Sequence, residues 1–293
     1  MVANSKYIGR FAPTPSGELH LGSLVGALGS WLEAKKNAGL WRLRVDDLDK
    51  NRVQIGAIDS ILTCLPAFGL RWDGEVIYQS ARIEIYRKVL GNLLDEGKAY
   101  YCTCTKKQIA ARVQMGVEGP IYDGHCRNKN HPAGKGSVRL NCEPLQGNLL
   151  HEKNAEVNWQ DQFLGPQNCD VGAKLGDFVL WRSDDVCSYH LANVVDDHLD
   201  NITHVVRGSD LLYSTHRHQF LEYSLGYPHP TYGHLPLVMQ PDGKKLSKQT
   251  GAQGLNISDP VPEILQALEV LGVTPPARVD RKSNISILNW ILG

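Results

Sequence analysis

The chain opens with an extended stretch, Tyr7-Ile8-Gly9-Arg10-Phe11, followed by a loop rich in proline and glycine. Beyond it Leu19, Leu21, Leu24, Val25, Leu28, Trp31 and Leu32 recur at spacings of three and four, the mark of one apolar helix face. Trp41-Arg42-Leu43-Arg44-Val45 alternates apolar and polar side chains and predicts a second strand, which runs into the acidic cluster Asp46-Asp47-Leu48-Asp49. Strand, glycine-bearing loop and helix in that order open a nucleotide-binding α/β unit. Such a loop delivers backbone N–H groups to a helix N-terminus, where phosphate is favoured.

Residues 51–65 and 81–96 carry the same helical spacing, and Gly97 stops the second run. From about Ala99 to Leu175 the character changes to short strands, many Gly, Asn and Pro residues, and a cysteine cluster, which predicts an insertion splitting the α/β domain. Regular pattern resumes at 177–182 and 191–197. One further helix is expected at 262–271 and a terminal amphipathic piece at 285–292. The expected division is therefore 1–98 and 176–250 as the two halves of one domain, 99–175 as the insertion, and 251–293 as a short helical remnant. No internal repeat or low-complexity tract interrupts this order.

A chain of 293 residues is long enough for one large domain or two modest ones, and 42% hydrophobic with 21% charged residues is ordinary globular composition. No apolar run reaches the ~18 residues of a membrane span, and the N-terminus lacks the apolar core of a signal peptide. A cytoplasmic protein with no membrane partner is expected. Net charge is zero, so a nucleic-acid partner would need a local basic face. Arg127, Lys129, His131, Lys135 and Arg139 form one candidate, and a solvated loop is the equally simple alternative.

Seven cysteines without an export signal argue against a disulfide framework. Cys64, Cys142, Cys169 and Cys187 are scattered and read as small buried side chains. Cys102, Cys104 and Cys126 are close enough in sequence to offer three thiolates to one zinc ion, which needs four ligands. The neighbouring His125 is the generic fourth.

Two segments carry the chemistry. Gly17-Glu18-Leu19-His20-Leu21-Gly22-Ser23 follows Arg10-Phe11-Ala12-Pro13-Thr14-Pro15-Ser16, and Lys245-Leu246-Ser247-Lys248-Gln249 follows a Pro-Asp-Gly turn far along the chain. His20 falls where the loop enters the helix, so a ring N–H there can meet a phosphate, and loop lysines can close over it. In this order the pair resembles the HIGH and KMSKS signatures of class I aminoacyl-tRNA synthetases. The string Arg-Phe-Ala-Pro-x-Pro-x-Gly narrows the resemblance to the glutamyl/glutaminyl branch.

That resemblance implies the α/β fold class of the family: a Rossmann-type nucleotide-binding domain split by a zinc-containing insertion that grips the acceptor end of tRNA, with a short helical C-terminal remnant. It implies an ATP-dependent ligase that activates glutamate, with His20, Lys245 and Lys248 as catalytic residues. Pro13, Gly17, His20, Gly22, Ser23 and Lys248 would contact ATP, which enters with Mg. Arg10, Phe11, Ala12, Pro13, Thr14, Asp46, Tyr189 and Arg207 would contact glutamate, Arg207 lying in a Val-Arg-Gly-x-Asp-Leu segment. Relatives read Arg-Ile-Glu-Asp-x-Asp where this chain has Arg44-Val45-Asp46-Asp47-Leu48-Asp49, so the acceptor for the amino group is one methylene shorter here. For the zinc, the pattern Cys-x-Cys with Tyr-x-x-x-Cys in truncated members of the branch implies Tyr122 as fourth ligand beside Cys102, Cys104 and Cys126, with His125 as the alternative.

Tyr-Asp-Gly-His-Cys-Arg and Lys-Leu-Ser-Lys-Gln resemble those truncated paralogues, which esterify glutamate to the queuosine base of tRNA(Asp). The end of the chain at Gly293 fits the same expectation, with no room for an anticodon-binding domain. The expected partners are queuosine-bearing tRNA(Asp), L-glutamate and ATP. A catalytic fragment of an ordinary glutamyl enzyme charging the 3′ adenosine and a non-catalytic tRNA-binding paralogue are the alternatives. A small nucleotidyltransferase fits the cysteine cluster and the Arg-Phe-Ala-Pro string poorly.

Overall fold

Strand, helix and strand follow one another as the periodicity predicts: β1 (Ile8–Phe11), α1 (Leu21–Lys36) and β2 (Leu40–Val45). The computed structural model describes residues 6–143, 155–240, 243, 245–246, 253–277 and 279–293. The chain continues through α2 (Ala57–Ala67), β3 (Ile77–Tyr78), α3 (Ile83–Asp95), β4 (Ala99–Cys102), α4 (Lys106–Ala110), β5 (Met115–Gly116), β6 (Gly119–Pro120) and β7 (Ser137–Leu140). Then come β8 (Glu156–Asp161), β9 (Gly165–Asp170), α5 (Val171–Lys174), β10 (Val179–Trp181) and α6 (Tyr189–Leu199). The last elements are β11 (His204–Gly208), α7 (Leu212–Leu225), β12 (Thr231–Leu235), α8 (Val261–Val270) and α9 (Asn284–Leu292).

Two compact units result. The first takes Met1–Ser80, Asn201–Leu211 and Pro230–Gly293. Its five-stranded sheet has the order β12-β11-β1-β2-β3, with every neighbouring pair parallel. The chain starts at the centre, winds to one edge, and later returns on the other side of β1. The strand order therefore reverses between β1 and β11, and ligands of such sheets bind outside the carboxyl ends at that reversal. Leu24, Val25, Leu28 and Trp31 of α1 form one core with Trp41 and Leu43 of β2 and with Ile61 and Leu65 of α2. Ile264 and Leu268 of α8 and Ile287 and Leu288 of α9 belong to the same core, so the two C-terminal helices are part of the sheet unit's packing. Gly29 sets the approach of α1 to the sheet, since a Cβ there would lie 2.5 Å from Leu235 Cδ1.

The second unit takes Ala81–Asp200 and Leu212–His229. It holds the antiparallel sheet β10-β7-β4, the hairpin of β8 and β9, and helices α3, α6 and α7. Asp196, fully buried on α6, accepts from Arg82 Nη1 at 2.9 Å and from the Tyr86 hydroxyl at 2.8 Å, clamping α3 to α6. This division differs from the sequence expectation, which began the insertion at Ala99: α3 and α6 pack on each other and run directly into β4 and out of β10.

Two boundaries also differ. The helix expected over 51–65 begins only at Ala57, because Asp49 caps a turn through Asn51 N (3.2 Å) and Gly56 takes a left-handed φ of 78°. The regular pattern expected from 191 starts two residues earlier, with Tyr189 opening α6 behind the Ser188 cap. Among the described residues no helix is long and apolar enough to cross a membrane.

Candidate active site

The parallel register decides which side chains meet. Arg10 pairs with Arg42, so Arg44, two residues on, shares its face; Gly9 pairs with His204, which puts Arg207 on that face too. Phe11, Trp41 and Leu43 point to the opposite face, where Phe11 stacks on Trp41 at 6.1 Å beneath α1. Phe11 thus offers its backbone, not its ring, to the arginine face. Arg10, Arg44 and Arg207 are only 4%, 1% and 6% exposed. Arg207 lies over the Tyr232 ring at 5.4 Å, and its Nη2 donates to the Leu211 carbonyl at 3.5 Å.

Asp46 sits just beyond the end of β2. Its Oδ1 accepts from Arg44 Nε at 2.9 Å, and its N–H donates to the Pro13 carbonyl at 3.0 Å. The shorter carboxylate is therefore bonded to its own strand's arginine and tied to the loop of Ala12, Pro13 and Thr14. Gln54 N donates to the Pro15 carbonyl at 2.9 Å, so the loops after β1 and β2 hold each other.

His20 occupies the expected helix start. It is the N-cap of α1, extended at φ −124°, and its Nδ1 accepts from Gly22 N at 3.0 Å. A neutral imidazole accepting at Nδ1 carries its proton on Nε2 and presents a donor there. Gly22 is needed for this arrangement, because a Cβ on it would lie 2.9 Å from His20 Cε1 and 3.1 Å from Nδ1. Besides the ATP contact expected of it, Gly22 leaves room for the histidine ring. Gly17 turns the loop with φ 114°, and Ser23 lies in the first turn of α1.

The two signature segments meet. The Leu246 carbonyl comes within 3.7 Å of the position a Gly22 Cβ would take, and Leu255 N donates to the Leu19 carbonyl at 3.0 Å. Lys245 pairs with Asp210, a residue that the sequence pattern did not single out. Lys248 lies outside the described residues. Tyr189 belongs to the second unit, half-exposed, with its ring 5.3 Å from that of His218.

The second unit also gathers the cysteines. Cys102, Cys104 and Cys126 place their sulfurs within 4.8 Å of one another. The Tyr122 hydroxyl lies 3.2 Å from Cys102 Sγ and 3.4 Å from Cys104 Sγ, and accepts from Cys126 N at 3.2 Å. His125 turns away, its ring against Lys129. Three thiols and a phenol oxygen around one centre suit a tetrahedral zinc ion in donor type and number. Burial opposes ionisation of Cys104, but hydrogen bonds with Tyr122, Arg112 and the other thiols outweigh it and bring the thiol to about 7. Burial and then those same thiols raise the Tyr122 phenol, which keeps its proton in the metal-free chain.

Two arginines of the basic stretch make internal contacts, while Lys129 and Lys135 are exposed. Arg127 grips the buried Asp177 through Nε and Nη2 at 2.6 and 2.8 Å, and Arg139 stacks over the Tyr122 ring at 4.0 Å. Arg139 also donates to the Asp177 carbonyl at 2.8 Å. These two cations brace the wall of the cysteine cluster. Cys64, Cys142, Cys169 and Cys187 are buried free thiols.

Residues 7–283 match the family described as tRNA synthetases class I (E and Q), catalytic domain. The chain belongs to this family. It is accordingly an ATP-dependent ligase of the class I aminoacyl-tRNA synthetase type, built on that family's parallel α/β sheet. Similar relatives are named glutamyl-Q tRNA(Asp) synthetase. The one from Klebsiella pneumoniae is 44% identical over 92% of this chain and 87% of its own. Those from Chromobacterium violaceum and Escherichia coli K12 are 43% and 40% identical, over 100% and 99% of this chain and 96% and 91% of theirs. Among solved structures, a glutamate tRNA ligase from Elizabethkingia meningosepticum in complex with its amino acid aligns with a TM-score of 0.70 at 30% identity. The alignment covers 84% of this chain and 53% of that one, so the chain spans about half the length of that ligase.

Proposed function

We propose that the chain activates L-glutamate with ATP and transfers it to the queuosine base of tRNA(Asp), the activity that its relatives' name describes. One observation carries the reading: buried Arg10, Arg44 and Arg207 gather at the carboxyl ends of one parallel sheet, whose central strand leads to a histidine-capped helix. In this reading Arg10 and Arg207 hold glutamate carboxylate groups in fork geometry. Asp46 receives the amino group, Tyr189 lines the pocket, and Phe11, Ala12, Pro13 and Thr14 frame it. Pro13, Gly17, Gly22 and Ser23 border ATP, which brings Mg.

The glutamate α-carboxylate attacks the α-phosphorus and pyrophosphate leaves. Charge grows on the phosphate oxygens, where the His20 Nε2–H and the ammonium groups of Lys245 and Lys248 stabilise it in this reading. A queuosine hydroxyl then attacks the adenylate and AMP departs. Residues 1–98 and 176–250 act as the catalytic halves. Residues 99–175, with one structural zinc on Cys102, Cys104, Tyr122 and Cys126, engage tRNA, and 251–293 contact its stem. The Tyr122 phenol beside all three cysteines supports that ligand set over one with His125.

Glutamylation of matched queuosine-bearing and queuosine-free tRNA(Asp) tests the reading. Product is expected only with the modified base; equal product on both would overturn it. Charging of the 3′ adenosine is the second reading, favoured by the 30% identity to a glutamate tRNA ligase. It requires product to vanish on tRNA lacking its terminal adenosine.

A further inference from the structure

Lys245 is tethered. Its ammonium meets Asp210 Oδ2 at 2.5 Å, with the two side chains 44% and 34% exposed. Asp210 lies in the short turn Ser209–Leu211 that directly follows β11, three residues after Arg207, and Gly208 makes room for it: a Cβ there would lie 2.6 Å from Asp210 Oδ1. On the loop side, Leu246 N donates to the Val238 carbonyl at 2.8 Å, and Lys245 bridges to Met239 across the turn. The Leu246 carbonyl rests near Gly22 at the start of α1. The lysine is therefore held where the strand order reverses, at the end of the sheet that leads into the His20 loop.

We propose that Asp210 is a positioning residue for adenylation: it holds Lys245 beside the first signature so that the ammonium is in place when the ATP phosphates arrive. This rests on the proposed contact of Lys245 with ATP. A partly exposed ion pair is weak and screened by solvent. A triphosphate carries several charges against the single carboxylate and displaces it readily. The tether restricts Lys245 in the empty enzyme, lowering the ordering cost of ATP binding, and yields once the nucleotide is bound.

The test is ATP–pyrophosphate exchange with glutamate, using the full chain and the variants Asp210→Asn, Asp210→Glu, Lys245→Met and Asp210→Asn with Lys245→Met. Asparagine keeps the shape that fits against Gly208. Asp210→Asn is expected to raise the ATP KM about fivefold with the glutamate KM unchanged, and Asp210→Glu to restore it. In the Lys245→Met background Asp210→Asn should add nothing, the sign of a shared interaction. An unchanged ATP KM in Asp210→Asn, or a rise that persists without Lys245, would overturn the tether. An ATP KM unaltered by Lys245→Met would overturn the ATP contact of that lysine, and the tether with it.

Discussion

The arginine face of the sheet and the cysteine cluster both bury polar groups, but they are assembled over different distances along the chain. Arg10, Arg44 and Arg207 come from three strands, and only the parallel register of β1, β2 and β11 puts them on one face. Cys102, Cys104, Tyr122 and Cys126 come from one short stretch, folded back by the Thr105 capping box and tight turns. The first arrangement takes its geometry from the sheet and the apolar core behind it. The second takes it from local turns and, with zinc bound, from the metal, whose binding energy contributes directly to folding. A site of the first kind is preorganised without ligand, whereas one of the second kind is stable only as its ligands are satisfied.

The largest effect expected breaks one region and spares the other. Cys104→Ser should reduce zinc from about one ion per chain to almost none by metal analysis and lower the thermal midpoint. Exchange of pyrophosphate with ATP and glutamate should stay within a few-fold; its collapse would show that the two regions are not separable. Arg207→Ala reverses the pattern. It should raise the glutamate KM by roughly 100-fold, about 3 kcal/mol for a buried charge-assisted contact, with zinc content and the ATP KM unchanged.

Gly22→Ala sharpens the comparison, because it should separate activity from stability. The added Cβ displaces the His20 ring, and exchange kcat should fall about tenfold for a misplaced transition-state donor. Alanine is favoured over glycine in a helix by up to ~1 kcal/mol, so the melting temperature should hold or rise. A lower melting temperature with normal kcat would refute this role for Gly22. Asp46→Glu, which restores the relatives' residue, should change least and keep exchange activity. Complete loss would mean that the pocket is built around the Arg44–Asp46 bond.

Much of the first unit is legible along the chain. Alternation in Trp41 to Val45 and three-four spacing from Leu21 to Leu32 are short-range signals, and β2 and α1 lie over those residues. His20 at the helix start follows from the same local reading. The start of α2 did not, because the Asp49 turn and the left-handed Gly56 compete with helical spacing that runs straight through them. Arg127 and Arg139 read as a basic surface because sequence shows charge without its partner. Asp177, 50 residues along the chain, pairs with the first and helps hold the second over Tyr122.

The division follows from the range of the forces. Periodicity, caps and turn residues act over a few positions, so strand, loop, helix and the spacing of the thiols can be read from the chain alone. Which face Arg10, Arg44 and Arg207 share depends on strand register, and a slip of one residue would send each of them to the other side. The Lys245–Asp210 pair and the room that Gly22 leaves for His20 depend on contacts closer than 4 Å. Contacts that close exist only after the core has set the elements against one another.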